Sequence, residues 1–417
     1  MAILRYTKAG TGQRNGARWV DARALATLAQ DLRLARPDDR FLIGFDRDRE
    51  DPVFWSEASL EMSRAGATGR PIRLAAGYIG HSDDVEPIDP HSLAICFVNS
   101  QLTSLRRAAP SMIGKPYIVV NQDAGFVDIA GLSLRGAPDQ GFIRFDAVSA
   151  TPTTYSQISV HNLHAARIGR LIETQRGARL ADCVIEDCSA FSVSRGFARF
   201  RSLERSTLRR LVIDGGGLDG GGENVCQMLA FETGTKVTLD TVYMHNAVNM
   251  LAAGEGKRSS YVQGDGVVCE RETADFTFRN CHVSAMGDGG FDLKTRGFVM
   301  ENCSAVACKF GIRIWSEGPN LIRRSAVHSP RPAGPNRGAC VWFAGKADLI
   351  DCDLQAGGNA TVFQSGDGGA GQPVLRLYGG SIRNEGPLPL LIGNGGGRVE
   401  LHDVAINGET RTGVLTL

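Results

Sequence analysis

No stretch of this 417-residue chain comes near the roughly 18 consecutive apolar residues of a membrane-spanning helix. The opening Met1-Ala-Ile-Leu-Arg-Tyr6 lacks the apolar core of a secretory signal. The chain therefore reads as soluble: cytoplasmic, borne on a phage particle, or secreted in a form whose signal has been removed. A dominant charge is missing too. Lys+Arg total 46 and Asp+Glu 45, leaving +1, so neither a polybasic nucleic-acid surface nor an acidic solvating tail is expected. Aromatic residues make up only 7%. None of the ten cysteines forms a Cys-x-x-Cys pair or a Cys/His cluster with zinc spacing. Several alternate with polar residues inside strand-like runs, which fits small buried hydrophobes rather than a disulfide framework. Asn-Gly and Asp-Gly hairpin turns between neighbouring apolar runs are scarce, which argues against an antiparallel sandwich.

What the chain does have is glycine and repetition. The 51 glycines exceed the usual frequency of about 7% and imply many tight corners. A hydrophobic content of 42% can fill a continuous core. Residues 17–35 place Trp19, Ala22, Leu25, Leu28, Ala29 and Leu32 at helical spacing and predict one helix. Residues up to 125 then read as irregular, with short strands at 41–45, 71–75, 92–96 and 117–120.

From residue 126 onward short alternating runs recur, each followed by a polar corner: Val127–Leu134, Ile158–Leu163, Ala181–Cys188, Phe276–Cys281, Phe298–Cys303 and Val399–Val404 are examples. Arg279-Asn-Cys281 and Glu301-Asn-Cys303 stand 22 residues apart, the length of one coil of three short strands and three turns. Asn280 and Asn302 would then stack, as would Cys281 and Cys303. The predicted fold is all-β: a single-domain, right-handed parallel β-helix, a solenoid with an N-terminal capping helix. Residues 1–125 would form the cap and first irregular coils, and 126–417 the regular coils of the same continuous domain. Gly-rich stretches at 214–222, 366–371 and 393–397 read as loops leaving the coil.

One region concentrates polar chemistry. Gln263-Gly-Asp-Gly266, Gly287-Asp-Gly-Gly-Phe-Asp-Leu-Lys294 and Gly311-Ile-Arg-Ile-Trp-Ser316 follow one another at coil spacing, with 23 residues from Asp265 to Asp288 and 21 from Asp292 to Arg313. Asp265, Asp288, Asp292, Lys294 and Arg313 are expected to converge on one groove. Removing a proton α to a uronate carboxylate needs a cation to neutralise that carboxylate and a base to take the proton. Aspartate oxygens suit Ca²⁺. Trp315 is a candidate to stack on a sugar ring, and His245, Lys309 and Arg296 are further candidates for substrate contact.

These residues resemble the family 9 polysaccharide lyases, β-helical pectate lyases. The likeness rests on Asp265-Gly-Val267, Asp288-Gly-Gly-Phe-Asp-Leu293, Glu301-Asn-Cys303 and Gly311-Ile-Arg-Ile314, with a looser match at Asp38–Ile43 and Gly69–Leu74. The resemblance implies Ca²⁺ held by Asp265, Asp288 and Asp292, and Arg313 in the place of the family's basic lysine, with Lys294 or Lys309 as an alternative base. It departs from the family at Gly289, where a second adjacent aspartate would stand, and at Arg313, whose guanidinium is a poor base and could instead clamp a carboxylate. The expected function is β-elimination on an acidic polysaccharide. The alternatives are a non-catalytic glycan-binding or phage-appendage protein, a uronate epimerase, or a glycoside hydrolase on the same fold. The paired Asp-Asp and following Gly-His of β-helical polygalacturonases are absent.

Overall fold

The computed structural model describes residues 1–7, 10–45, 60–78, 117–121, 124–135, 141–147, 152–218, 225–252, 258–331, 337–367, 371–394 and 396–417. The strand expected at 92–96, with Cys96, lies outside them. No helix among the described residues is long and apolar enough to cross a membrane. The chain is nearly all-β, and its strands pair overwhelmingly in parallel. It divides into two compact units, Met1–Ser194 with Phe200–Thr207, and Arg195–Arg199 with Leu208–Leu417.

In the first unit Ile3–Thr7, Arg40–Phe45, Ile72–Tyr78, Val127–Ala130 and Ser159–His161 lie side by side in parallel. The helix predicted over 17–35 is mostly not a helix. Trp19–Asp21 and Leu25–Thr27 are single 3₁₀ turns, Arg23–Ala24 is a strand, and only Leu28–Arg33 is α-helical. Parallel pairing of Tyr6 with Arg23 and Thr7 with Ala24 draws those two residues into the sheet. The apolar spacing was satisfied by burial, with Leu25, Leu28 and Leu32 all at most 3% exposed, rather than by one continuous helix.

In the second unit six parallel strands carry the region of interest: β1 (Gln227–Thr235), β2 (Asp265–Ala274), β3 (Gly289–Leu293), β4 (Phe310–Ile314), β5 (Gly338–Phe343) and β6 (Ala360–Ser365). Each pairs with the next. Between them the chain lays down a second set of parallel strands. Thr277–Arg279 stacks on Val299–Glu301 and then on Leu321–Arg323, while His282–Ser284 stacks on Ser304–Val306 and then on Ala326–His328. The step is the 22 residues read from the sequence.

The corner between those two strand sets explains the Asn-Cys motif. Asn280, Asn302, Arg324, Asp351 and Asp403 all have φ between 48° and 55°, the left-handed region that asparagine and aspartate tolerate best. The residue after the corner points inward. Cys281 and Cys303 are accordingly buried at 0% and 2%, and all nine described cysteines are buried and free. Asn280 and Asn302 stack as expected, yet their side chains bond to other residues of neighbouring coils rather than to each other: Asn280 Nδ2 donates to Asp240 at 3.2 Å, and Asn302 Oδ1 accepts from Arg324 Nε at 3.3 Å.

The repeated Asp-Gly and Gly-Gly steps also have a packing cause. Gly266, Gly290 and Gly311 follow one another across β2, β3 and β4. A Cβ on Gly266 would stand 2.4 Å from the Gly290 carbonyl oxygen, and one on Gly311 would stand 2.2 Å from Val327 Cγ1. The missing side chains let the strands approach their neighbours closely.

Below this column Phe278 packs against Phe276, Phe291 and Phe298 at centroid separations of 6.2, 6.0 and 6.4 Å, and is fully buried. Phe278→Ala should destabilise the second unit by about 3–5 kcal/mol, read as a lower guanidinium midpoint at unchanged slope. A shift under about 1 kcal/mol would mean that this cluster does not anchor the coils. At the C-terminal end Glu409–Thr416 folds back antiparallel on Arg398–Ile406 and covers an edge that would otherwise present free backbone groups.

Candidate active site

Adjacent strands bring one residue each to a single row on the outer face of the β1–β6 sheet. Ala230 pairs with Val268, Val268 with Asp292, Asp292 with Arg313, Arg313 with Trp342, and Trp342 with Gln364. Their neighbours in sequence, among them Phe291, Leu293, Val341 and Phe343, are completely buried in the core. The period of two along each strand therefore turns the row outward.

Around this row the expected groove residues meet. Arg313 Nη1 donates to Asp288 Oδ2 at 3.1 Å, and Arg313 Nε stands 3.7 Å from Asp292 Oδ1. Lys309 Nζ lies 3.5 Å from Asp288 Oδ1, and Lys294 Nζ lies 3.6 Å from Asp292 Oδ2. Lys294 also donates to both oxygens of Glu270, at 2.8 and 3.0 Å. Trp315 Nε1 donates to Asp292 Oδ1 at 2.6 Å. The Arg313 guanidinium sits over three aromatic rings, 5.4 Å from Phe310, 5.0 Å from Trp315 and 5.4 Å from Trp342. Those rings fix its plane while leaving its charge on the aspartates.

Asp265 differs from the other two aspartates. Its Oδ1 accepts the Gly289 backbone N–H at 2.8 Å. Burial, followed by the negative charges of Asp288 and Asp292, pushes its carboxyl up to about 8, against smaller opposing pulls from Arg313 and the Gly289 N–H. Asp265 therefore keeps its proton at neutral pH. Gly289 belongs to this arrangement. A Cβ there would stand 3.1 Å from Asp265 Oδ1, a tight approach, and at ordinary contact distance, 3.5 Å, from Arg313 Cδ, so a side chain would press on Asp265.

A cleft of about 530 Å³ opens beside the row. Val268, the neighbour of Asp292, lines it together with Arg199, Glu232, Glu270 and Arg271. Arg199 is held by Glu232 at 2.6 Å. Arg271 is exposed, has no ion pair among the described residues, and lies 6.0 Å from the Trp315 ring. Sequence spacing did not reveal Arg199, Glu232, Arg271 or Trp342. Their coils are lengthened by insertions, and 29 residues separate Arg313 from Trp342.

The remaining expected substrate contacts do not lie on the row. Lys309 is fully buried, so it cannot reach a substrate, and burial lowers its ammonium below the ordinary lysine range. His245 stands on the other set of strands, exposed and bonded to Ser284 Oγ at 2.8 Å. Arg296 is exposed after β3, on an isolated parallel bridge to Ala274.

The three aspartates expected to hold Ca²⁺ are each engaged by donors of the protein. Among the described residues no group of three or more His, Cys, Asp or Glu side chains is placed to hold a metal ion. Arg313 donates to Asp288, Trp315 to Asp292, and the Gly289 backbone N–H to Asp265. Chelation with EDTA should leave the melting temperature and any glycan cleavage unchanged. Loss of either on chelation, restored by Ca²⁺, would overturn this.

No family model and no curated protein matches the sequence. Solved structures do match. The catalytic domain of a GH87 α-1,3-glucanase, bearing an aspartate-to-alanine change and holding tetrasaccharides, has a TM-score of 0.54 at 9% identity, covering 96% of this chain and 68% of that one. A GH136 lacto-N-biosidase from Eubacterium ramulus matches at 0.47 and 10% identity, covering 96% and 68%. A pectate lyase matches at 0.33 and 12%, covering 94% and 79%. The first match shows a shared fold.

Proposed function

We propose that the chain winds as a right-handed parallel β-helix and that its second unit cleaves a polysaccharide by acid–base chemistry at the Asp265–Asp288–Asp292–Arg313 cluster. The observation that carries this is the clustering of three carboxylates, of which Asp288 and Asp292 lie 3.1 and 3.7 Å from Arg313 while Asp265 meets only the Gly289 N–H, in a setting whose burial and neighbouring negative charges raise the Asp265 carboxyl. An acid and a base of the same residue type, separated by environment, are what glycoside hydrolysis requires. Asp265 would protonate the leaving glycosidic oxygen as the C–O bond breaks. Asp292, beside the cleft-lining Val268, would take the proton of the water that adds to the sugar carbon. Arg313, bonded to Asp288 and stacked on aromatic rings, would hold the carboxylates in place rather than act as a base. The fold shared with a glucanase that binds tetrasaccharides supports a carbohydrate substrate.

A second reading, β-elimination on a uronate polymer, is favoured by Arg271, an exposed cation at the cleft with no carboxylate partner among the described residues. It is also favoured by the resemblance carried by Asp288–Leu293 and Gly311–Ile314. One experiment separates the two. The protein is incubated with polygalacturonate, alginate, xyloglucan and carboxymethylated α-1,3-glucan. New reducing ends without absorbance near 235 nm indicate hydrolysis, and absorbance near 235 nm indicates elimination. Neither signal with any polymer would sink the enzymatic reading.

A further inference from the structure

The row does not end at Arg313. Trp342 and Gln364 continue it onto β5 and β6, outside the cleft and beyond the charged cluster. Both are only partly buried, unlike the core residues that flank them. The Trp342 and Trp315 rings lie 4.2 Å apart between centroids and are inclined by 47°, so they form an open V rather than a stack. Gln364 Oε1 is enclosed and accepts no hydrogen bond among the described residues. A buried amide oxygen without a donor is destabilising unless something supplies one. The position of Trp342 has its own cause. A Cβ on Gly366 would fall 1.9 Å from Trp342 Cζ2 and 2.5 Å from Cε2. The ring lies in space that only a glycine leaves open.

We propose that Trp342 and Gln364 form a further sugar-binding subsite, one and two strands beyond Arg313, and that Gly366 is the positioning residue that holds the Trp342 ring in it. The occupant is a pyranose unit of the polysaccharide that the cleft takes, so the inference rests on the glycan reading above. The apolar face of the sugar would lie against the indole, and the partly exposed Gln364 side chain, turning to bring its amide oxygen to the surface, would accept a hydrogen bond from a sugar hydroxyl. Strands in a sheet are about 4.8 Å apart, so the row from Val268 to Gln364 offers successive contacts to a chain running across the strands.

The test is affinity electrophoresis of the full chain in gels containing each of the four polymers named above, followed by kinetics on any polymer that is cleaved. The wild type is expected to be retarded by at least one polymer. Trp342→Ala should weaken that binding about tenfold, equivalent to about 1.4 kcal/mol. Gln364→Leu, which keeps the shape and removes the acceptor, should weaken it severalfold. Both should raise KM while leaving kcat within about twofold, a split that general destabilisation would not produce. Gly366→Ala should follow Trp342→Ala in affinity and increase acrylamide quenching of tryptophan fluorescence as the ring is displaced. Asp265→Asn should bind like the wild type. Unchanged retardation for Trp342→Ala and Gln364→Leu, or a wild type that no polymer retards, would overturn the subsite. Retardation without cleavage of any polymer would overturn the enzymatic reading and leave the subsite standing.

Discussion

Asp265→Asn is expected to cut glycan cleavage by about a hundredfold to ten-thousandfold, the usual contribution of a positioned general acid, while the protein stays folded. Asparagine has the shape of the protonated carboxyl and can still accept the Gly289 N–H that Asp265 Oδ1 takes at 2.8 Å. What it lacks is the proton to give.

The same group ties stability to pH. The folded protein holds the Asp265 proton up to about 8, whereas an ordinary aspartate, as in the unfolded chain, releases it near 3.8. Between these values the folded state binds more protons, so stability falls as pH rises from about 4 to about 8 and levels off above. Asp265→Asn should remove that slope and be at least as stable as the wild type at pH 7.5, measured as denaturant midpoints across the range. Wild-type cleavage should decline above about pH 8 as the acid is lost. An active Asp265→Asn protein, or one whose midpoint falls with pH as the wild type's does, would contradict the assignment.

Asp288→Asn is expected to be the most destabilising change in the cluster, by about 3–5 kcal/mol, the range seen when one member of a buried ion pair is removed. Asp288 is 2% exposed and meets two cations, Arg313 at 3.1 Å and Lys309 at 3.5 Å, of which Lys309 is fully buried. Without that carboxylate both positive charges would lose their nearest compensation. The effect should itself depend on pH. Burial already lowers the Lys309 ammonium, and the Asp288 charge is the main influence raising it. Removing Asp288 lowers it further. A lysine depressed in the folded state binds fewer protons there than when unfolded, so stability rises with pH through its folded value. The deficit of Asp288→Asn should therefore shrink in alkaline buffer. Adding Lys309→Met should recover much of the loss at neutral pH. Equal destabilisation at every pH, with no recovery in the double variant, would show that the pair is not energetically coupled.

The parts of the molecule legible in the sequence are those where one residue type answers one local demand. The Asn-Cys step combined a left-handed corner at Asn280 and Asn302 with an inward small apolar residue at Cys281 and Cys303, and its 22-residue spacing is the observed strand register. The same spacing brings Asp265, Asp288, Asp292 and Arg313 to neighbouring strands. The segment 17–35 failed because apolar spacing reports only that side chains are buried. Pairing with Tyr6 and Thr7, which periodicity does not see, decided the backbone.

The sequence by itself determined that the chain is built of stacked parallel strands and that its aspartates and Arg313 share one flank. Both follow from a period, and a period is a one-dimensional property. Only the tertiary structure decided what those aspartates touch. Whether a carboxylate binds a metal, holds an arginine or keeps its proton depends on which donors and charges lie within a few ångströms and how far water is excluded. Here Arg313, Trp315 and the Gly289 N–H occupy the places expected for calcium. Trp342 came into view only because the strand that carries it pairs with the one bearing Arg313, across an insertion that broke the spacing.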